Sequence, residues 1–84
     1  MKVYGEAVVA QFAGKYTASR KPLRLFLEIA RGAEWPDFTA VKVTFATADY
    51  APSTGTLRFD IDGNKYGIAA RVDFAEGVLY IDAR

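Results

Sequence analysis

The chain has 84 residues, of which 51% are apolar and 25% charged, with a formal net charge of +1. That length allows one domain with a modest core, burying roughly 60–65% of the surface exposed by the unfolded chain, and the composition excludes a disordered segment. Cysteine and histidine are both absent, which excludes disulfides, thiolate metal sites and the commonest general acid–base group.

No apolar run is long enough to span a bilayer, and the residues after Met1 do not read as a secretory leader. The expected location is cytoplasmic, with no membrane partner. Residues 1–42 hold seven Lys/Arg against four Asp/Glu, and residues 43–84 hold four against six. A strong nucleic-acid binder shows a basic stripe; here the C-terminal half is slightly acidic.

Lys2-Val3-Tyr4 reads as a short edge strand or a lead-in. From Glu6, Val8, Val9, Phe12, Ala13 and Tyr16 form a single helical stripe, with Gly14 as its expected stop. Ser19 is placed as the N-cap of a second helix. That puts Pro22 in the first turn, where its missing N–H costs nothing. The helix is expected to run to about Arg31, with Gly32 just beyond. Leu23, Phe26, Leu27 and Ala30 form its apolar side. Arg20, Lys21, Arg24, Glu28 and Arg31 line the other, with Arg24 and Glu28 spaced to pair.

Trp35-Pro36-Asp37 breaks this pattern. The next segment admits two readings: a short helix capped by Asp37, with Phe38, Val41 and Phe45 on one side, or a strand over Val41 to Phe45. Residues 47–56 contain Pro52, Ser53, Thr54 and Gly55 and read as a loop.

From Leu57 onward, apolar residues alternate through three segments, as in consecutive antiparallel strands with one buried face. Gly63-Asn64 suits a two-residue turn. It pairs Asp60 with Gly67, Arg58 with Ala69, Phe59 with Ile68 and Ile61 with Tyr66. A turn at Glu76-Gly77 pairs Ala75 with Val78, Phe74 with Leu79 and Val72 with Ile81, and sets Arg71 opposite Asp82. The open face then carries Arg58, Asp60, Asp62, Lys65, Gly67, Ala69, Arg71, Asp73, Tyr80, Asp82 and Arg84, and its charges nearly balance. Helices followed by strands give an α+β class: two N-terminal helices, plus a short third, packed on one face of a small antiparallel sheet, in a single domain over residues 1–84.

No dinucleotide or phosphate-binding glycine loop, no nucleophile elbow and no zinc-ligand spacing occurs. Asp60, Asp62, Asp73 and Asp82 share the open face, a weak case for a metal or a carboxylate pair. Tyr4, Phe12, Tyr16, Phe26, Phe59, Tyr66 and Phe74 fall mostly in phase with core positions; Tyr50 and Tyr80 look the most exposed.

Several stretches, in order, carry a family resemblance. They are Pro22-Leu23 opening a long helix, Ala33-Glu34-Trp35 at its end, Phe38-Thr39-Ala40-Val41-Lys42 with Phe45, and Ala48-Asp49-Tyr50. The most specific is Phe59-Asp60-Ile61-Asp62-Gly63-Asn64-Lys65-Tyr66, followed by a strand and Val78-Leu79-Tyr80-Ile81. Through them the chain resembles the HigB family of toxins, the RelE/ParE-like component of type II toxin–antitoxin systems. The resemblance implies a compact RelE-like fold with a short helix from Phe38. It also implies ribosome-dependent mRNA interferase activity and neutralisation by a cognate antitoxin, typically a helix-turn-helix protein.

Such nucleases are expected to need no metal and no cofactor. The RNA 2′-OH attacks the neighbouring phosphate, and the protein supplies a base, a proton for the leaving oxygen and cations for the phosphorane. Arginine and lysine suit the last task. Lys42, Lys65, Arg71 and Arg84 are the candidate RNA phosphate contacts; no catalytic base is assigned. The sequence departs from the family pattern at Gly67, where arginine is usual, and at Asp82, where a basic residue is usual. The family also continues into a segment with a histidine, acidic residues and a tyrosine, beyond the point corresponding to Arg84. Two functional readings result: a weak or inactive mRNA interferase, and a non-catalytic binding module that only engages an antitoxin. An unrelated small α+β domain is the third.

Overall fold

The computed structural model describes residues 1–63 and 65–82. Strand β1 (Lys2–Tyr4) leads into helix α1 (Glu6–Lys15); a short 3-10 turn (Thr17–Ser19) precedes α2 (Arg20–Gly32), and α3 (Phe38–Thr44) comes next. Four strands complete the chain: β2 (Asp49–Ala51), β3 (Thr56–Ile61), β4 (Tyr66–Asp73) and β5 (Val78–Ile81). The five strands form one sheet in the order β1-β5-β4-β3-β2, with the helices on one face. The α+β class is as expected from the sequence.

The sheet is mixed, which corrects the expectation of a purely antiparallel one: β1 runs parallel to β5, pairing Lys2 with Val78, Val3 with Leu79 and Tyr4 with Tyr80. This pairing turns Val3 to the core and Tyr4 to the open face, so Tyr4 is not a core residue. Gly5 makes the exit from β1 feasible. Its φ is +90°, and a Cβ there would sit 2.5 Å from the carbonyl oxygen of Ile81, a separation that only glycine avoids. Its own carbonyl accepts from the N–H groups of Val8 and Val9 at the start of α1.

Helix α1 passes through Gly14 and ends at Lys15, so Gly14 is not the stop; a single glycine near a helix end is tolerated at modest cost. Ser19 does precede α2 but does not cap it. Its backbone is already right-handed helical, whereas an N-cap is extended, and its buried hydroxyl donates to the carbonyl of Tyr16 at 2.5 Å. Arg31 pairs with Glu6, tying the end of α2 to the start of α1. Among the described residues Arg24 and Glu28 do not pair.

Asp37 resolves the ambiguity after Trp35. Its backbone is extended, and its Oδ1 accepts from the Ala40 N–H at 3.1 Å, capping α3. The segment is therefore helical. Trp35 is a breaker in the sequence and a core residue in the fold: its ring is buried, and its Nε1 donates to Thr44 Oγ1 at 3.3 Å. Phe26, Phe45 and Phe59 gather around one another, with centroids 4.9–5.5 Å apart, and Trp35 lies against Phe45 and Phe59. This cluster joins α2, α3 and β3, and each such pair adds about 0.5–1.5 kcal/mol beyond the burial of area. Leu23, Leu57, Ile68 and Leu79 extend the core across the sheet.

The β3–β4 register is the expected one, with Phe59 opposite Ile68 and Asp60 opposite Gly67. Asn64, assigned to its turn, lies outside the described residues. The β4–β5 register differs by two residues: Asp73 pairs with Val78, Val72 with Leu79 and Ala70 with Ile81. The cause is Asp73 itself. Its Oδ1 accepts from the Glu76 N–H and its carbonyl from the Gly77 N–H, so the turn closes around Asp73 rather than beyond Ala75. A shift of two keeps every side chain on its face. Finally, part of the expected loop is strand β2, which pairs Asp49 with Arg58 and Tyr50 with Leu57. Tyr50 consequently turns inward onto Phe38 and Phe74, correcting its expected exposure.

Candidate nucleic-acid face of the sheet

Helices cover one side of the sheet, leaving the alternate residues of every strand on the other. Two cross-strand rows organise this open face. One runs Tyr4, Tyr80, Arg71, Thr56, Ala51 across all five strands. The next runs from Asp82, whose N–H donates to the Ala69 carbonyl, through Ala69 and Arg58 to Asp49. Asp60 and Gly67 lie beyond it, nearer the β3–β4 turn.

Of the four basic residues singled out in the sequence, the structure places Arg71 on this face. Arg71 faces Tyr80 rather than Asp82, but the Asp82 carboxylate still reaches it from the adjoining row, 3.7 Å from Nε. Both side chains are well exposed, so the pair contributes only about 0–1 kcal/mol. Lys65 sits in the β3–β4 turn with its Nζ 4.0 Å from Asp62. It is some six residues along the strand from Arg71, about 20 Å at the usual rise per residue. Lys42 belongs to α3, on the covered side. Its Nζ donates to the Ala46 carbonyl at 2.8 Å, satisfying a carbonyl just past the helix end. Arg84 lies outside the described residues. The three described candidates therefore do not converge.

Two features escaped the sequence reading as site elements. Arg58 reaches over Gly67: its Nη2 would lie 3.4 Å from a Cβ placed there, so a guanidinium from the neighbouring strand occupies the space above the glycine. Tyr4 and Tyr80 stack on the open face with centroids 5.3 Å apart and planes 17° from parallel, and remain 46% and 50% exposed. Beside Tyr80, a cleft of about 330 Å3 is lined by Thr54, Gly55, Arg71, Val72, Asp73 and Tyr80.

Set against Lys2 in β1, Arg58 in β3 and Arg71 in β4 are Asp49 in β2, Asp60 in β3, Asp73 in β4 and Asp82 just past β5. Among the described residues the face is not basic. Among the described residues, no three carboxylates converge as metal ligands would. No described helix is long and apolar enough to cross a membrane.

Residues 19–83 match the family model described as HigB_toxin, the RelE-like toxic component of a toxin–antitoxin system. The chain belongs to this family. A search of curated proteins finds no match. Three helices on a five-stranded mixed sheet are consistent with a RelE-like fold, and membership implies an antitoxin partner. The matched stretch holds α2, α3 and strands β2 to β5; β1 and α1 precede it. In this HigB-family chain, Gly67 and Asp82 both lie on or beside the open face, as the sequence register expects.

Proposed function

We propose that the chain is the toxin of a type II toxin–antitoxin pair whose mRNA interferase activity on the ribosome is weak or lost. The observation that supports this reading is the charge of the open face. Cleavage through the 2′-OH places extra negative charge on a phosphorane, and its stabilisation takes cations held close together. Here Asp60 faces Gly67, Asp82 sits beside Arg71, and Lys42 and Lys65 lie elsewhere. Asp82 beside Arg71 and Asp49 opposite Arg58 oppose the approach of a phosphate.

The antitoxin reading rests on a different surface. On the outer side of α2, Leu25 is 58% exposed and Ile29 lies one turn later. Lys21, Arg24 and Glu28 flank them, with Asp62, around a shallow groove of about 640 Å3. An amphipathic helix carrying acidic residues along its edge complements an apolar stripe bordered by Arg20, Lys21 and Arg24. We assign this surface to the cognate antitoxin, a helix-turn-helix protein encoded next to the toxin.

Induction of the chain in a bacterial host, with mapping of mRNA ends, tests the first part. Growth is expected to continue without ribosome-dependent cuts, whereas arrest with such cuts refutes it. Co-expression with the product of the neighbouring short gene tests the second. A co-purifying complex lost in Leu25→Asp is expected, and the absence of any complex at micromolar concentration overturns it.

A further inference from the structure

Helix α2 and the segment that follows it leave two unlike surfaces exposed, both away from the open face of the sheet. One is the outer side of α2, where Leu25 and Ile29 stand in solvent beside Arg20, Lys21 and Arg24. Glu28 and Asp62 also border it, and Asp62 has Lys65 4.0 Å away. The other is a cleft of about 530 Å3 between the α2–α3 link and the β4–β5 turn. Trp35, Pro36 and Phe74 give it an apolar lining, and Glu34 and Glu76 bring two exposed carboxylates to it. Among the described residues neither carboxylate has an ion-pair partner. Cations at the end of α2 are engaged elsewhere. The Met1 ammonium, which also lines the cleft, donates to the carbonyls of Ala30, Arg31 and Ala33, and Arg31 pairs with Glu6.

We propose that these two surfaces dock on each other in different copies of the chain: α2 of one copy lays Leu25, with Lys21 and Arg24 at its edge, into the Trp35–Phe74 cleft of another. The chemistry of the two surfaces is complementary. An apolar stripe bordered by cations meets an apolar cleft bordered by carboxylates, and such pairing of opposite potentials selects the partner and its orientation. The stems of Lys21 and Arg24 can cover apolar wall while their heads reach Glu34 and Glu76. The surfaces cannot meet within one chain, because α2 is rigid and holds Leu25 about 12 Å along its axis from Ala33, at the wall of the cleft. An occupant from a second copy satisfies both surfaces at once. A cleft of this volume admits only a few side chains, so the contact belongs to the small, transient class of interfaces, with a Kd above about 1 μM. It uses the α2 surface assigned above to the antitoxin, so self-association and antitoxin binding exclude each other. The inference does not rest on that assignment, since both surfaces belong to this chain.

The test is sedimentation of the chain alone at concentrations from about 1 μM to 1 mM. The weight-average mass is expected to rise across this range and to fall back in high salt, which screens exposed charges. Leu25→Asn with Ile29→Asn removes the docked face, and Glu34→Lys with Glu76→Lys removes the receiving cleft. Each double variant alone is expected to stay monomeric. Mixed, the two are expected to associate, because each supplies the surface the other lacks. All four positions are exposed, and melting curves verify that both variants are folded. Glu34→Gln with Glu76→Gln keeps the shape of the cleft and is expected to raise Kd by about 2- to 30-fold, the effect of losing two exposed ion pairs. Trp35 is the single tryptophan of the chain, so its indole N–H resonance reports on the cleft. That resonance is expected to shift with concentration in the parent chain and in the mixture, and in neither double variant alone. A monomer at every concentration, association that survives loss of Leu25 and Ile29, or a mixture of folded variants that stays monomeric overturns the proposal. No antitoxin is present, so failure of the antitoxin assignment leaves this result interpretable.

Discussion

The covered and open faces of the sheet are built from alternate residues of the same strands, yet they answer to different constraints. On the covered face Leu57, Phe59 and Ile61 from β3 meet Ile68 and Ala70 from β4 and Leu79 and Ile81 from β5, all buried. Close packing makes each of these positions sensitive to volume. On the open face Arg58, Asp60, Arg71 and Asp82 are solvated, and their pairings are worth little to stability. The fold is therefore held on one side while the other is free to change.

The contrast between the faces is probed most severely at Phe59, where α2, α3 and the sheet meet. Phe59→Ala is expected to cost about 3–5 kcal/mol, a large fraction of the roughly 5–10 kcal/mol that a small domain possesses, as read by urea denaturation. Gly5→Ala comes next. It combines a positive φ with a Cβ 2.5 Å from the Ile81 carbonyl oxygen, so a loss on the order of 2–4 kcal/mol is expected. Protection of the Ile81 region from hydrogen exchange should fall with it, because β1 and β5 must separate. Asp37→Ala removes the cap of α3 at a cost of about 1 kcal/mol, lowering Tm by about 4–8 °C in a domain of this size. At the small end, Asp82→Asn is expected to change stability by less than about 1 kcal/mol, because both members of the Arg71–Asp82 pair are exposed. A large loss in that variant would contradict the division between the faces.

Legibility in the sequence tracks the same division. Alternation identified the covered face of β3, β4 and β5, and the Gly63-Asn64 turn fixed the first hairpin register. The second register was beyond reach of alternation, because a shift of two leaves the pattern unchanged; the deciding bond is from Glu76 N–H to the Asp73 side chain. Strand β2 has three residues, too few for a periodicity, and Pro52 and Gly55 mask it. For Tyr4, adjacency to Val3 leaves the side undetermined, and the parallel pairing with β5 joins residues at opposite ends of the chain. The approach of Arg58 to Gly67 is a diagonal contact between strands, visible once the register is known but attached to no motif. Lys42 is a candidate phosphate contact in sequence, yet α3 carries it to the covered side.

Whether the open face still supports RNA cleavage is decided by reconstituted translation. The purified chain is added to ribosomes programmed with a defined mRNA, and the message ends are mapped by primer extension. Full-length message at every codon in the A site is the expected result; cuts that appear only when ribosomes are present would contradict it.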